Sequence, residues 1–232
     1  IEAMAKKFKD YYDETAAELL AQKLDKAAAA VGSTVDAESF RRRVVQALAE
    51  TGDPPFGRRQ DLFAQALEAE LPADYPTSIV LLEALLGPPL EQPEGMFTHG
   101  WWLWPVGRYV ERNALRDTAV SLRFIHELTR RFTGEFAIRP ILAAEPQPTL
   151  AVLENWAQEE DVHVRRLSSE GMRISLPWAS PERAYAIIRS WEEDLATLPE
   201  DSAEARALAW IMKHGRRSER RGGTGASESQ GR

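Results

Sequence analysis

Apolar side chains recur along most of the chain at a spacing of three or four positions, which is typical of amphipathic helices. For example, the segment 36–50 places Phe40, Val44 and Leu48 on one side of a helix. No segment alternates apolar and polar residues in the way of a half-buried strand. The pattern therefore predicts an all-α fold, with helices over 15–30, 36–50, 59–71, 75–89, 106–114, 117–132, 135–145, 148–158, 161–172, 181–196 and 203–214.

The connections between these helices are short, which predicts antiparallel neighbours. Each helix pair between 117 and 172 is too thin to bury its own apolar face, so stacking of successive pairs has to make the core. We therefore predict an α-solenoid of HEAT-like helix pairs with a concave face.

We expect a single domain over 1–215, made of an N-terminal helical part (1–90), a loop rich in proline and glycine (88–104) and the repeats (105–215), followed by a disordered polar tail (216–232).

The composition excludes several kinds of chemistry. The chain has no cysteine, which rules out disulfides, thiolate nucleophiles and cysteine-based zinc sites. Its 4 histidines lack the spacing of metal ligands, so we expect neither a metal ion nor a cofactor. The longest apolar runs are too short to span a bilayer, and no secretory signal is visible. We expect a soluble, cytoplasmic protein, and a monomer because nothing in the sequence indicates oligomerisation.

Arginine is concentrated in one part of the chain. The formal net charge is −7 overall, which argues against nucleic-acid binding over the whole surface. Residues 108–173, however, carry ten arginines, ten acidic residues and no lysine. The planar guanidinium group suits phosphate and carboxylate better than a lysine ammonium does. A local arginine-rich face is therefore compatible with a selective contact to DNA.

The predicted helix over 161–172 has one charged and one apolar stripe. At 100° per residue, the charged stripe contains His163, Arg166, Glu170 and Arg173. The apolar stripe, which we expect to face a neighbouring helix, contains Val164, Leu167 and Gly171. From the residues alone, the simplest interpretation is an ordinary solvated face. Trp178 is then a core residue that fixes the exit of the chain.

A second charged cluster lies upstream. Thr133 is a candidate helix cap, and it would place Glu135 in the first helical turn, where a carboxylate complements the helix dipole. Arg139 would follow one turn later. Pro140 lacks a backbone N–H and predicts a kink in this helix. The aromatic run W-W-L-W over 101–104 is either a packing plug, which is the commoner case, or a stacking platform for bases.

Two motifs resemble a known family. They are E-F-A-I-R-P over 135–140, and H-V-R-R-L-S-S-E-G-M-R over 163–173 followed by L-P-W-A over 176–179. Together they resemble the AlkC-type branch of bacterial alkylpurine DNA glycosylases, which are built from HEAT-like repeats. The resemblance covers about residues 8–179 and includes F-T-H-G-W-W-L-W-P-V-G-R-Y-V over 97–110.

This resemblance implies excision of N3-methylated bases, such as 3-methyladenine and 3-methylcytosine, from double-stranded DNA without a deep base pocket. It implies catalytic roles for Glu135 and Glu170 and an aromatic wall made by Trp178. It further implies that Arg166 and Arg173 position DNA phosphates. Arg139 and Arg165 are either further DNA-binding residues or structural arginines of the repeat.

The chain departs from the family pattern in two places. Ile174 and Ser175 replace a proline and a basic residue of the family motif, which weakens one expected phosphate contact. After Ser180, a two-helix repeat that carries a further acidic residue of the family is missing. A second hypothesis is therefore a HEAT-like scaffold that binds DNA or protein but has lost catalysis.

Overall fold

The computed structural model describes residues 7–92 and 96–172, and all regular secondary structure in these ranges is helical. This confirms the all-α prediction for the described part of the chain. Ten α-helices occur there: α1 (Glu14–Val31), α2 (Ala37–Thr51), α3 (Phe56–Glu70), α4 (Tyr75–Leu85), α5 (Met96–His99), α6 (Trp104–Asn113), α7 (Thr118–Thr129), α8 (Arg139–Ala144), α9 (Pro146–Trp156) and α10 (Val162–Glu170). Short 3₁₀ segments cover Phe8–Tyr11, Trp101–Leu103 and Ala114–Arg116.

Aspartate side chains begin many of these helices. The carboxylate of Asp36 accepts a hydrogen bond of 2.7 Å from the backbone N–H of Ser39. Such a cap satisfies one of the N–H groups that the first turn of a helix leaves unpaired. Five described helices, α1, α2, α4, α7 and α10, have an aspartate cap of this kind: Asp13, Asp36, Asp74, Asp117 and Asp161.

The helices pack in two connected groups. In the first, α1 lies against α2 and α4, and α3 lies against α2 and α6. Connections of five and four residues join α1 to α2 and α2 to α3, and these packed neighbours are antiparallel. In the second, α9 lies between α8 and α10, and α10 also contacts α7. Since α7 packs against α4 as well, it links the two groups.

One contiguous cluster of buried apolar residues runs through both groups, from Tyr12 in the first to Leu167 in the second. Trp104, at the start of α6, belongs to this cluster and is 8% exposed. Its ring centroid is 4.7 Å from that of Phe56 and 5.5 Å from that of Phe132. The packing interpretation is therefore confirmed for Trp104, which fixes α6 against the segment that follows α7.

The structure corrects two details around α8. The helix begins at Arg139, not at 135, and residues 135–138 form turns. Pro140 consequently lies in the first helical turn, where its missing N–H breaks no helical hydrogen bond and no kink is required. The predicted loop over 88–104 is also more regular than expected, because it contains α5 and a 3₁₀ turn.

Candidate active site

Glu135 lies in the turn between α7 and α8, and only 4% of its surface is exposed. The preceding Gly134 makes this position possible. A Cβ atom there would lie 2.9 Å from the Cγ2 atom of Ile125 and closer still to the Oγ1 atom of Thr129. Any other residue at 134 would therefore push the chain away from α7. The backbone N–H of Ile138 then donates to the carbonyl of Gly134 at 3.2 Å, which closes the turn around Glu135.

The helix α10 brings the second acidic residue to the same place. Val164 and Leu167 are fully buried, which confirms the predicted apolar stripe. At Gly171, a Cβ atom would lie 3.0 Å from the Cγ2 atom of Ile138, so the end of α10 packs closely on the turn after Glu135. This packing directs Arg166 and Glu170 towards Glu135.

Arg166 lies between the two carboxylates. Its Nη2 atom is 3.0 Å from the Oε1 atom of Glu135, and its Nε atom is 3.9 Å from the Oε2 atom of Glu170. The pair with Glu135 is close but poorly aligned, because Nη2 makes no hydrogen bond of good geometry although it is buried. Glu135 Oε2 is also buried and has no hydrogen-bond partner among the described residues. The contact is therefore mainly electrostatic.

The two carboxylates differ in their surroundings. The side chain of Glu135 is 5% exposed and that of Glu170 is 28% exposed. Burial raises the pKa of the Glu135 carboxyl above its ordinary value of 4.5, against the opposing effect of the Arg166 charge. The negative charge of Glu170 nearby raises this pKa further. When one carboxyl is buried with a raised pKa and its neighbour is more exposed, the two acids are suited to different roles in catalysis.

His163 corrects the predicted charged stripe. It was expected on the same surface as Arg166 and Glu170, but it is buried at 5% exposure. Its Nε2 atom lies 3.5 Å from the backbone carbonyl oxygen of Gln92, so a segment more than 70 positions away in the chain covers it. Within the described residues, the charged surface of α10 is therefore narrower than the sequence predicts.

Of the predicted DNA-binding arginines, Arg139 is buried and Arg165 makes local hydrogen bonds. Arg139 is 7% exposed, and this burial favours the structural alternative for it. Arg165 is exposed, and its Nη1 atom donates to the backbone carbonyls of Glu159 and Glu160 at 2.6 and 2.7 Å. These bonds brace the connection between α9 and α10. The DNA contacts of Arg139 and Arg165 stay predictions, and Arg173 and Trp178 lie outside the described residues.

Met96 is a residue of the site that the sequence does not predict. Its Sδ atom lies 3.4 Å from the Nη1 atom of Arg166, 70 positions further along the chain. The contact brings α5 next to the carboxylate pair. In the sequence, the only indication that this segment is important is the neighbouring motif over 97–110, which is part of the family resemblance. Helical periodicity gives no information about a contact of this range.

The described ranges contain neither a cluster of metal ligands nor a helix that could span a membrane. Within 7–92 and 96–172, no group of three or more histidine, aspartate or glutamate side chains is arranged to hold a metal ion. None of the described helices combines the length and the apolar character that a membrane span requires.

Comparison with known proteins connects the chain to one solved structure. No model of a protein family matches the sequence. The chain is similar to the structure of Pseudomonas fluorescens alkylpurine DNA glycosylase AlkC bound to DNA that contains an abasic-site analogue, with a TM-score of 0.63 and 26% identity. The match covers 95% of this chain and 66% of the AlkC chain. The chain thus has an AlkC-type, HEAT-like helical fold, which confirms the fold expected from the resemblance.

A second relative is known from its sequence. The uncharacterized protein YhaZ of Bacillus subtilis (strain 168) is 40% identical over 70 residues. These residues make up 30% of this chain and 20% of the Bacillus protein. The chain therefore spans less than two thirds of the length of either relative.

Proposed function

We propose that the protein is a DNA glycosylase that excises N3-alkylated bases, such as 3-methyladenine and 3-methylcytosine, from double-stranded DNA in base excision repair. The observation that carries this proposal is the convergence of Glu135 and Glu170 on Arg166. The similar Pseudomonas protein is an alkylpurine DNA glycosylase bound to DNA with an abasic-site analogue, and an abasic site is what base excision leaves behind.

The chemistry of the substrate explains why two carboxylates are sufficient. Alkylation at N3 gives the base a positive charge, so the base becomes a good leaving group. As the bond between C1′ and the base breaks, the deoxyribose takes on oxocarbenium character. A carboxylate stabilises that developing charge and a carboxylate can also activate the attacking water, as in glycoside hydrolysis. The products are the free alkylated base and an abasic site.

The environments of the two acids suggest how the roles divide. We assign to Glu170, whose side chain is 28% exposed, the stabilisation of the positive charge of the base and the sugar. Glu135 is buried and its pKa is raised, which suits a general base because efficiency rises as the pKa of the base approaches the working pH. We assign to Glu135 the acceptance of a proton from the water that attacks C1′.

Arg166 has a part in this scheme that depends on DNA. In the structure, its guanidinium lies between the two carboxylates. A cationic base requires the same negatively charged surroundings. A DNA phosphate would compete for the same guanidinium, since arginine forms strong paired hydrogen bonds with phosphate. In our proposal, Arg166 moves from Glu135 to a phosphate when DNA binds and so uncovers the carboxylates. Arg173 and Trp178 remain a predicted phosphate contact and a predicted aromatic wall.

Release of the free base tests the proposal. The folded protein is incubated with duplex DNA that contains 3-methyladenine or 3-methylcytosine, and the free base is quantified by liquid chromatography and mass spectrometry. The proposal expects release of at least one of these bases above the spontaneous rate. Salt-dependent binding of the duplex without release would instead favour the alternative of a catalytically impaired scaffold.

A further inference from the structure

Met96 makes a sulfur contact to the arginine of the candidate active site. Its Sδ atom accepts from the Nη1 atom of Arg166 at 3.4 Å, and this is the only well-aligned hydrogen bond that the guanidinium donates to a described residue. The Nε and Nη2 atoms are buried, yet neither has a hydrogen-bond partner of good geometry within the described ranges. A thioether is a weak acceptor. The guanidinium therefore forms no strong hydrogen bond to the described part of the protein.

The backbone around Met96 is fixed. Only 6% of Met96 is exposed, and its carbonyl oxygen accepts a hydrogen bond of 2.8 Å from the N–H of Gly100. A Cβ atom at Gly100 would lie 2.5 Å from the carbonyl oxygen of Arg131, so glycine lets this segment pack directly on the residues that lead to Glu135. Of the two side chains in the sulfur contact, the one of Arg166, which is 29% exposed, has more room to move.

The three nitrogen atoms of the guanidinium each face a different side chain. Nη1 lies against Met96, Nη2 is 3.0 Å from Glu135 and Nε is 3.9 Å from Glu170. A phosphate that binds arginine through two hydrogen bonds needs two of these nitrogens at once, so at least one present contact has to break. Hydrogen bonds between arginine and phosphate are about twice as strong as neutral ones, and they would readily replace a contact to sulfur.

We propose that Met96 is a positioning residue. Its sulfur orients the guanidinium so that Nη2 faces Glu135 before DNA binds, and because the contact is weak, Arg166 can leave for a phosphate at low cost. This inference rests on the proposed function, in which Arg166 moves from Glu135 to a DNA phosphate. A stronger acceptor at position 96, such as an amide oxygen, would keep the arginine at the carboxylate. Met96 thus affects DNA binding through Arg166.

The salt dependence of DNA binding tests this role. The dissociation constant for a duplex with a tetrahydrofuran abasic-site analogue is measured between about 50 and 200 mM salt, where the slope of log affinity against log salt counts phosphate contacts. Arg166→Ala should reduce the slope by about one contact. Met96→Gln should reduce it equally although the arginine is present, and should weaken binding roughly ten-fold, because a hydrogen bond to a charged group then holds the guanidinium.

Met96→Leu is the matched variant for packing, because leucine has a similar volume and lacks the acceptor. It should keep the wild-type slope and bind DNA roughly two-fold more tightly, as expected when a weak hydrogen bond is removed. In the Arg166→Ala background, neither substitution of Met96 should change the dissociation constant or the slope, since the residue acts through the arginine. Circular dichroism confirms that each variant is folded.

The inference is overturned by a folded Met96→Gln variant with the wild-type slope, or by an effect of this variant that persists without Arg166. Equal slopes for the wild type and Arg166→Ala would also overturn it, and so would a lower slope or weaker binding of folded Met96→Leu. The leucine variant decides the question even where glutamine unfolds the chain. Release of free base by the wild type is measured separately, and its absence together with the expected slopes would refute excision but support the role of Met96.

Discussion

The guanidinium of Arg166 lies 3.0 Å from the carboxylate of Glu135, although the two residues are 31 positions apart and belong to different elements. Glu135 is almost completely buried in this pair, whereas Arg166 remains 29% exposed. Solvent therefore contacts Arg166 directly, and it affects the buried carboxylate of Glu135 through this arginine.

The first prediction concerns the pH dependence of folding. The folded state raises the pKa of Glu135 above 4.5, so the folded protein binds more protons than the unfolded chain between these two pKa values. The contribution of Glu135 to stability is therefore fully present below pH 4.5 and is lost as the pH rises through the folded-state pKa. Glu135→Gln removes this contribution. Relative to the Tm of the wild type, the Tm of Glu135→Gln should therefore rise as the pH increases from 4.5.

Thermal unfolding monitored by circular dichroism over this pH range measures the difference. Acidic groups that do not interact with Glu135 titrate equally in both proteins, so their effects cancel in the comparison. Glu170→Gln is a useful second variant because the negative charge of Glu170 contributes to raising the pKa of Glu135. A difference in Tm between wild type and Glu135→Gln that stays constant with pH would contradict the assigned direction.

The second prediction concerns Arg166. Replacement by alanine leaves the buried Glu135 carboxylate without its cationic neighbour, and an uncompensated buried polar group costs about 1–3 kcal/mol. We expect Arg166→Ala to lower the free energy of unfolding by about this amount at neutral pH, as measured by urea denaturation. The matched control is Arg123→Ala, which breaks an exposed ion pair with Glu83 at 3.3 Å.

Such a surface pair is worth roughly 0–1 kcal/mol, so the control should change stability little. The destabilisation by Arg166→Ala should also diminish at acidic pH, where Glu135 is protonated and no longer requires the guanidinium. Equal and small effects of the two arginine variants would show that the Arg166–Glu135 pair does not stabilise the fold.

The third prediction concerns Gly134, whose missing side chain lets the turn with Glu135 pass against α7. Gly134→Ala would place a methyl group 2.9 Å from the Cγ2 atom of Ile125. Overpacking of this kind costs about 1–3 kcal/mol, and the displacement of Glu135 should reduce base release as well. Gly57→Ala in α3 is the control, since nothing lies within 4 Å of its Cβ position.

The control variant gains helix propensity and should be neutral or more stable by up to about 1 kcal/mol. Urea denaturation and base release are measured on both variants. If Gly134→Ala were as stable and as active as Gly57→Ala, the close contact with α7 would not determine the position of Glu135.

The periodicity of the sequence predicted helices better than it predicted the site. The aspartate caps Asp36 and Asp161 are visible in the sequence, and the helices that follow them begin where expected. The predicted start of α8 was wrong by four residues because Thr133 was interpreted as its cap, and this start made Pro140 an interruption of the helix, whereas it belongs to the first turn. Both signals are local, but a proline is compatible with either position.

The site itself depends on contacts between distant segments. Helical geometry correctly groups Arg166 with Glu170, yet it cannot tell that Gln92 covers His163 or that Met96 reaches Arg166. Such contacts are set by tertiary packing and not by spacing along one helix. Glu135 and Glu170 were brought together in the sequence only by the family resemblance, and the structure places both of them on Arg166.

The role of Glu135 is tested by single-turnover release of base from duplex DNA containing 3-methyladenine, measured for the wild type, Glu135→Gln and Arg123→Ala. The proposed mechanism predicts release at the same rate by the wild type and by Arg123→Ala. It predicts a rate about 10² to 10⁴ times lower for Glu135→Gln, which is the range for loss of a general base, with both variants folded by circular dichroism. Undiminished release by folded Glu135→Gln would contradict the central role of this carboxylate, and the absence of release by the folded wild type would contradict the proposed activity.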